Sequence, residues 1–196
     1  NILGAIGKSG DKVAAKRIGK LASKAETKTN LGALSRFAEK TDAGFKIKAD
    51  PPVVVPIPLG MVKELDKLVD KAFSDYLETL APDRRLVISR YRRADFARKI
   101  VGVGSVGTQA FMMLLMGDSD QDPLFLQFKE AQQSVLAPFA GKSEYKQEGE
   151  RVVRGQRIMQ SASDPFLGWA TGSGGAKKHY YLRQLRDMKG SVDVEN

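Results

Sequence analysis

The chain has 196 residues, no cysteine and one histidine, His179. Disulfides, thiolate metal sites and a His-rich zinc site are excluded, and a Ser-His-Asp triad would have to run through that one residue. Hydrophobic residues make up 42% and charged residues 28%, which suits a globular protein, and no run of about 20 apolar residues offers a membrane span.

The net charge of +9 is unevenly spread. Residues 1–48 hold eleven Lys or Arg against four Asp or Glu, so the N-terminal quarter carries +7 and the remainder only +2. The chain opens on Asn1 with no signal-peptide pattern. The expectation is a piece of a longer protein of the cytoplasm.

Residues 11–25 predict a helix. Ala14, Ile18, Leu21, Ala22 and Ala25 form a narrow apolar stripe, and Lys12, Lys16, Lys20 and Lys24 recur every four residues on another face. Such a helix suits nucleic acid, an anionic membrane surface or plain solvation. No aromatic residue interleaves with the lysines to stack a base. A second short helix is expected over 31–40, from Leu31, Leu34, Phe37 and Ala38, and an edge strand over 45–48. Residues 53–58 read as an extended connector, because proline removes donors and restricts its neighbours.

Residues 61–80 hold a 3.6-residue apolar period over five turns and predict the longest helix. One or two helical turns are expected over 84–91. Arg90, Arg92 and Arg93 then form a basic knot that could face a phosphate, with pairing to nearby acids or solvation the leading expectation.

The next stretch is Lys99-Ile100-Val101-Gly102-Val103-Gly104-Ser105-Val106-Gly107-Thr108. Its G-x-G-x-x-G spacing lets backbone N–H groups approach phosphate oxygens, and it equally serves a plain tight turn. The acids of residues 117–123 lack the closing Glu of a calcium loop, so a solvated turn is expected there. Residues 124–131 read as a buried strand carrying Lys129. Ser143 is placed to cap a helix over 144–162, with Tyr145, Glu148, Val152, Gln156, Met159 and Ala162 on one inward face. Residues 166–169 and 179–185 read as two strands joined by a Gly-rich hairpin.

Two architectures compete for the Gly-rich stretch. In a dinucleotide-binding βαβ unit, a helix would begin near Val106 and Glu130 would sit where a ribose-binding acid belongs. In a kinase-type lobe, the glycines turn between two strands, Lys129 follows on the next strand, and a helix supplies its acidic partner, Glu148. An edge-strand lysine in solvent is the plain alternative for Lys129.

The runs Val101–Thr108, Asp122–Ala131, Arg151–Arg157 and Arg183–Gly190 closely resemble the bacterial "domain of unknown function 2252" family, over about residues 45–196. The resemblance implies a distant likeness to protein kinases and aminoglycoside-type phosphotransferases. It implies ATP with Mg²⁺ as cofactor, Gly102, Gly104, Ser105 and Gly107 over phosphates, and Lys129 as the strand lysine. Glu148 or Gln156 would be its helix partner. Full members are about twice this length, and the segments resembling a catalytic loop lie outside this chain. Arg186-Asp187-Met188-Lys189 echoes part of such a loop, but Leu185 and Val192 replace its His and its metal-binding Asn. Asp187 is therefore expected at a hinge beside the nucleotide.

The expected fold is α+β, a kinase-like small lobe over 98–196. A basic, mostly helical region over 1–50, a Pro-rich connector over 51–60 and a helical segment over 61–97 precede it. The expected function is ATP binding as one lobe of an ATP-dependent phosphotransferase, with the remainder of the parent protein as partner. An interaction module for nucleic acid or an acidic partner is the second expectation, and a Rossmann-type domain the third.

Overall fold

The computed structural model of the chain describes residues 30–58, 63–100, 107–172 and 177–185. The basic helix expected over 11–25 lies outside the described residues, as do Gly102, Gly104, Ser105 and Asp187.

In chain order the elements are α1 (Asn30–Phe37), β1 (Ala38–Thr41), β2 (Gly44–Ile47), β3 (Val54–Pro56), α2 (Lys63–Leu77), α3 (Pro82–Ile88), β4 (Arg92–Lys99), β5 (Ala110–Met116), β6 (Pro123–Ala131), α4 (Ala137–Ala140), α5 (Glu148–Met159), β7 (Gly168–Gly172) and β8 (Lys178–Gln184). Among the described residues, six strands form one antiparallel sheet in the order β3-β4-β5-β6-β8-β7, and β1 with β2 forms a separate hairpin. Mixed α+β architecture is what the sequence led us to expect.

The central strands β5 and β6 are apolar almost throughout because both faces of the sheet are covered. In their register Met113 faces Leu126 and Phe111 faces Phe128, while Met112 faces Gln127 and Leu114 faces Phe125. One face therefore gathers Phe96, Met113, Leu115, Leu124, Leu126, Phe128, Tyr180 and Leu182 with Val69 and Tyr76 of α2. The other gathers Ala97, Met112, Leu114, Met116 and Phe125 with Ala33 and Leu34 of α1 and Ile47 of the hairpin. Each large side chain buried here contributes about 1.5–3 kcal/mol by leaving water.

Helix α5 lies on the Phe125 face. Its Arg154 guanidinium sits over the Trp169 ring, and its Glu148 N–H donates to His179 Nδ1 at 3.1 Å. Trp169 pairs with Tyr181 and His179 with Ala131, and this register puts all four on the same side as Phe125.

Several expectations change. Residues 92–97, expected to close a helical segment, belong to strand β4, and residues 54–56, expected as an extended connector, form its edge partner β3. Pro56 sits on that edge, where a missing donor costs no internal ladder bond. The second helix stops at Phe37, and Ala38 begins a hairpin that turns at Gly44 with φ +108°. Gln147 rather than Ser143 caps α5, its side chain accepting from Glu150 N–H at 2.6 Å; Ser143 Oγ accepts from Tyr145 N–H instead. The inward face differs from the expected one, because α5 meets the backbone of β8 at Gly149. Gly149 and Val153 are buried, and Met159, expected inside, is 85% exposed.

Candidate functional site

Strand β5 follows Gly107 and runs antiparallel to β4. The Gly-rich stretch therefore joins two neighbouring strands, and no helix begins after it. This removes the dinucleotide-binding βαβ alternative, which required that helix. Gly107 has φ +84° and open space where a Cβ would stand, so the backbone conformation, not crowding, asks for glycine.

Lys129 stands on β6 directly across from Ala110, three residues after Gly107. It shares the Phe125 face with Gln127, Tyr181 and Arg183. Phe37 and Leu34 of α1 close the Phe125 end of that face, whereas Lys129, Tyr181 and Arg183 remain partly exposed. Burial lowers the Lys129 ammonium pKa, and the nearby Arg183 charge lowers it further. Among the described residues Lys129 makes no ion pair.

The two expected helix partners are placed otherwise. Glu148 is bound to Arg151 one turn along α5, and Arg151 also reaches the Gln132 carbonyl. Gln156 is partly buried on α5, and its carbonyl receives the Gln160 N–H that ends the helix. Neither is joined to Lys129 by a hydrogen bond or ion pair. Arg93 of the basic knot does pair with acids, Asp66 and Asp70 of α2.

Glu130, next to Lys129, points to the opposite face, as successive strand residues must. Its Oε2 accepts from Gln109 N–H at 2.8 Å and from Lys178 Nζ at 3.1 Å. Tyr180, directly across from Glu130 on β8, donates its hydroxyl to Gln109 Oε1 at 2.9 Å. Burial alone would raise the Glu130 pKa, but the Gln109 amide and the Lys178 ammonium outweigh it and hold the carboxyl below its usual value. Sequence reasoning placed Glu130 only within the βαβ alternative and missed Gln109, Lys178, Tyr180 and Arg183. The available signal was that a Lys-Glu pair on one strand must face two different environments.

The family model of uncharacterized proteins conserved in bacteria, DUF2252, matches residues 5–196. The chain belongs to that family. No curated protein and no solved structure matches it.

Two concavities of this DUF2252 chain lie apart from Lys129. One, of about 440 Å³, opens beyond the end of β6 between residues 133–146 and α5, with Lys142, Lys146 and Arg151 among its lining. The other, of about 180 Å³, is an apolar groove between α2 and the opposite face of the sheet, lined by Phe96, Phe111 and Phe128 among others. Lys129 lines neither of them. Among the described residues no group of three or more His, Asp or Glu is placed to hold a metal ion, and no helix is long and apolar enough to cross a membrane.

Proposed function

We propose that this DUF2252 chain contributes a kinase-like nucleotide-binding lobe to an ATP-dependent phosphotransferase. ATP is the nucleotide, and Lys129 contacts its phosphates near the turn that ends at Gly107. The observation that carries this reading is Lys129 itself. It is a partly buried ammonium with no ion-pair partner among the described residues, it lies beside a second cation, and it stands across from the strand that leaves a Gly-rich turn. A charge kept in such a place is a candidate ligand contact, because its desolvation is offset only when an anion arrives.

The connectivity supports the same reading. Strand, Gly-rich turn, strand, lysine strand, helix and two further strands follow in the order that a kinase-type lobe uses. Arg183 adds positive potential on the same face. Among the described residues no carboxylate cluster is placed for Mg²⁺. Glu148 is committed to Arg151 and would have to exchange that partner to reach Lys129.

The test is calorimetric titration of the chain with ATP·Mg²⁺, NADH and duplex DNA, with Lys129→Met beside the wild type. The expected outcome is ATP binding that weakens about tenfold or more in Lys129→Met, the loss of one charge-assisted contact. A folded chain that ignores ATP refutes the reading. DNA binding that falls steeply with salt would then give the lead to the basic N-terminal quarter.

A further inference from the structure

We infer that Glu130 is a positioning residue for Lys129: its carboxylate ties the starts of β5 and β8 to the end of β6 and so fixes the backbone that carries the lysine. The inference deepens the nucleotide-lobe reading and rests on it for its consequence in binding.

Gln109 is held three ways. Its carbonyl accepts from Glu130 N–H at 2.8 Å, its own N–H donates to Glu130 Oε2 at 2.8 Å, and its side-chain Oε1 accepts from the Tyr180 hydroxyl at 2.9 Å. The first bond alone would continue the strand pairing. The carboxylate adds a second, charge-assisted bond to the same residue, which a simple strand end does not need. Gln109 lies two residues past Gly107 and one before Ala110, the residue across from Lys129. Fixing Gln109 therefore fixes both the exit of the Gly-rich turn and the backbone opposite the lysine.

The same carboxylate draws in Lys178 Nζ at 3.1 Å, on the face away from Lys129. A third cation is thus kept apart from Lys129 and Arg183. The lock holds at any physiological pH. Burial and the Glu130 charge push the Tyr180 hydroxyl up to about 12, so it stays a donor. The Glu130 side chain is only 9% exposed, so water competes poorly for its oxygens.

Three variants separate positioning from charge and from general stability. Glu130→Ala removes the acceptor and the charge. Glu130→Gln removes the same charge but keeps an oxygen for the Gln109 amide. Tyr180→Phe removes the hydroxyl bond and no charge at neutral pH. The readouts are the Lys129 ammonium titration, followed by NMR, and ATP affinity. With Glu130→Gln as reference, Glu130→Ala should move the Lys129 titration up toward that of a free lysine and weaken ATP about tenfold, as loss of alignment at one charge-assisted contact would. Tyr180→Phe should move the titration the same way by less. Lys129 titrating alike in Glu130→Ala and Glu130→Gln overturns the proposal. If Glu130→Ala does not fold, an unmoved titration in Tyr180→Phe overturns it instead. A wild type that ignores ATP, with the titration contrast intact, refutes the nucleotide reading and leaves the positioning role standing.

Discussion

Lys129 and Glu130 are neighbours in sequence and opposites in circumstance. The acid is nearly buried and bound by a backbone amide and an ammonium. The lysine, on the other face, is partly buried with no ion-pair partner among the described residues and another cation nearby. A fold gains from the first arrangement and is burdened by the second. The contrast separates a residue that holds the sheet end together from one that the sheet end presents.

The largest expected effect tests the seat of α5, which walls the lysine's face. A Cβ on Gly149 would run into the Tyr180 carbonyl oxygen of β8. Gly149→Ala gains helix propensity, up to about 1 kcal/mol in a helix interior. Backbone cannot yield as a flexible side chain can, so overpacking should win, with a net loss of about 2–3 kcal/mol in urea unfolding. Retained stability would mean that α5 is held loosely, and the exposure of Lys129 would then vary with its position.

A smaller effect sharpens the acid's side of the contrast. The folded state holds the Glu130 carboxyl below its ordinary value, so the unfolded chain binds the proton more readily. The stabilisation is fully present above the ordinary glutamate value of about 4.3 and is lost as pH falls through the lower, folded value. Glu130→Gln should remove that part of the acid dependence and leave the rest. Identical slopes below about pH 4 in the two proteins would contradict the bonding described for Glu130.

Much of this arrangement was legible in the sequence because it follows from spacing. The long helix near α2, the buried strand with its lysine and the β7–β8 hairpin all declare themselves by period and by flanking turn residues. Strand β4 did not, for a physical reason. Five of its eight residues are charged, and an irregularity between Arg93 and Asp95 breaks the alternation. Asp95 is nevertheless buried, because its carboxylate accepts the Ile47 N–H at 2.7 Å, a partner 48 residues away. The inward face of α5 was misjudged for a related reason. It meets β8 through Gly149, and a residue without a side chain leaves no mark in a hydrophobic pattern. Glu130 was visible as a residue and not as a partner, since Gln109 and Lys178 reach it only through strand pairing.

The smallest expected change in stability bears most directly on function. Lys129→Met replaces a partly desolvated ammonium by an apolar side chain of similar reach. The folded chain holds this lysine below its ordinary pKa, so charging it is harder in the fold than in the unfolded chain, and the empty protein bears that cost at neutral pH. Removing the charge should therefore leave stability within about 0.5 kcal/mol of wild type, or above it, because no described ion pair is lost. A clear loss of stability would mean that Lys129 has a structural partner, and the contrast with Glu130 would collapse. Unchanged or increased stability together with lost ATP affinity would identify a side chain kept for what it binds, against the interest of the fold that carries it.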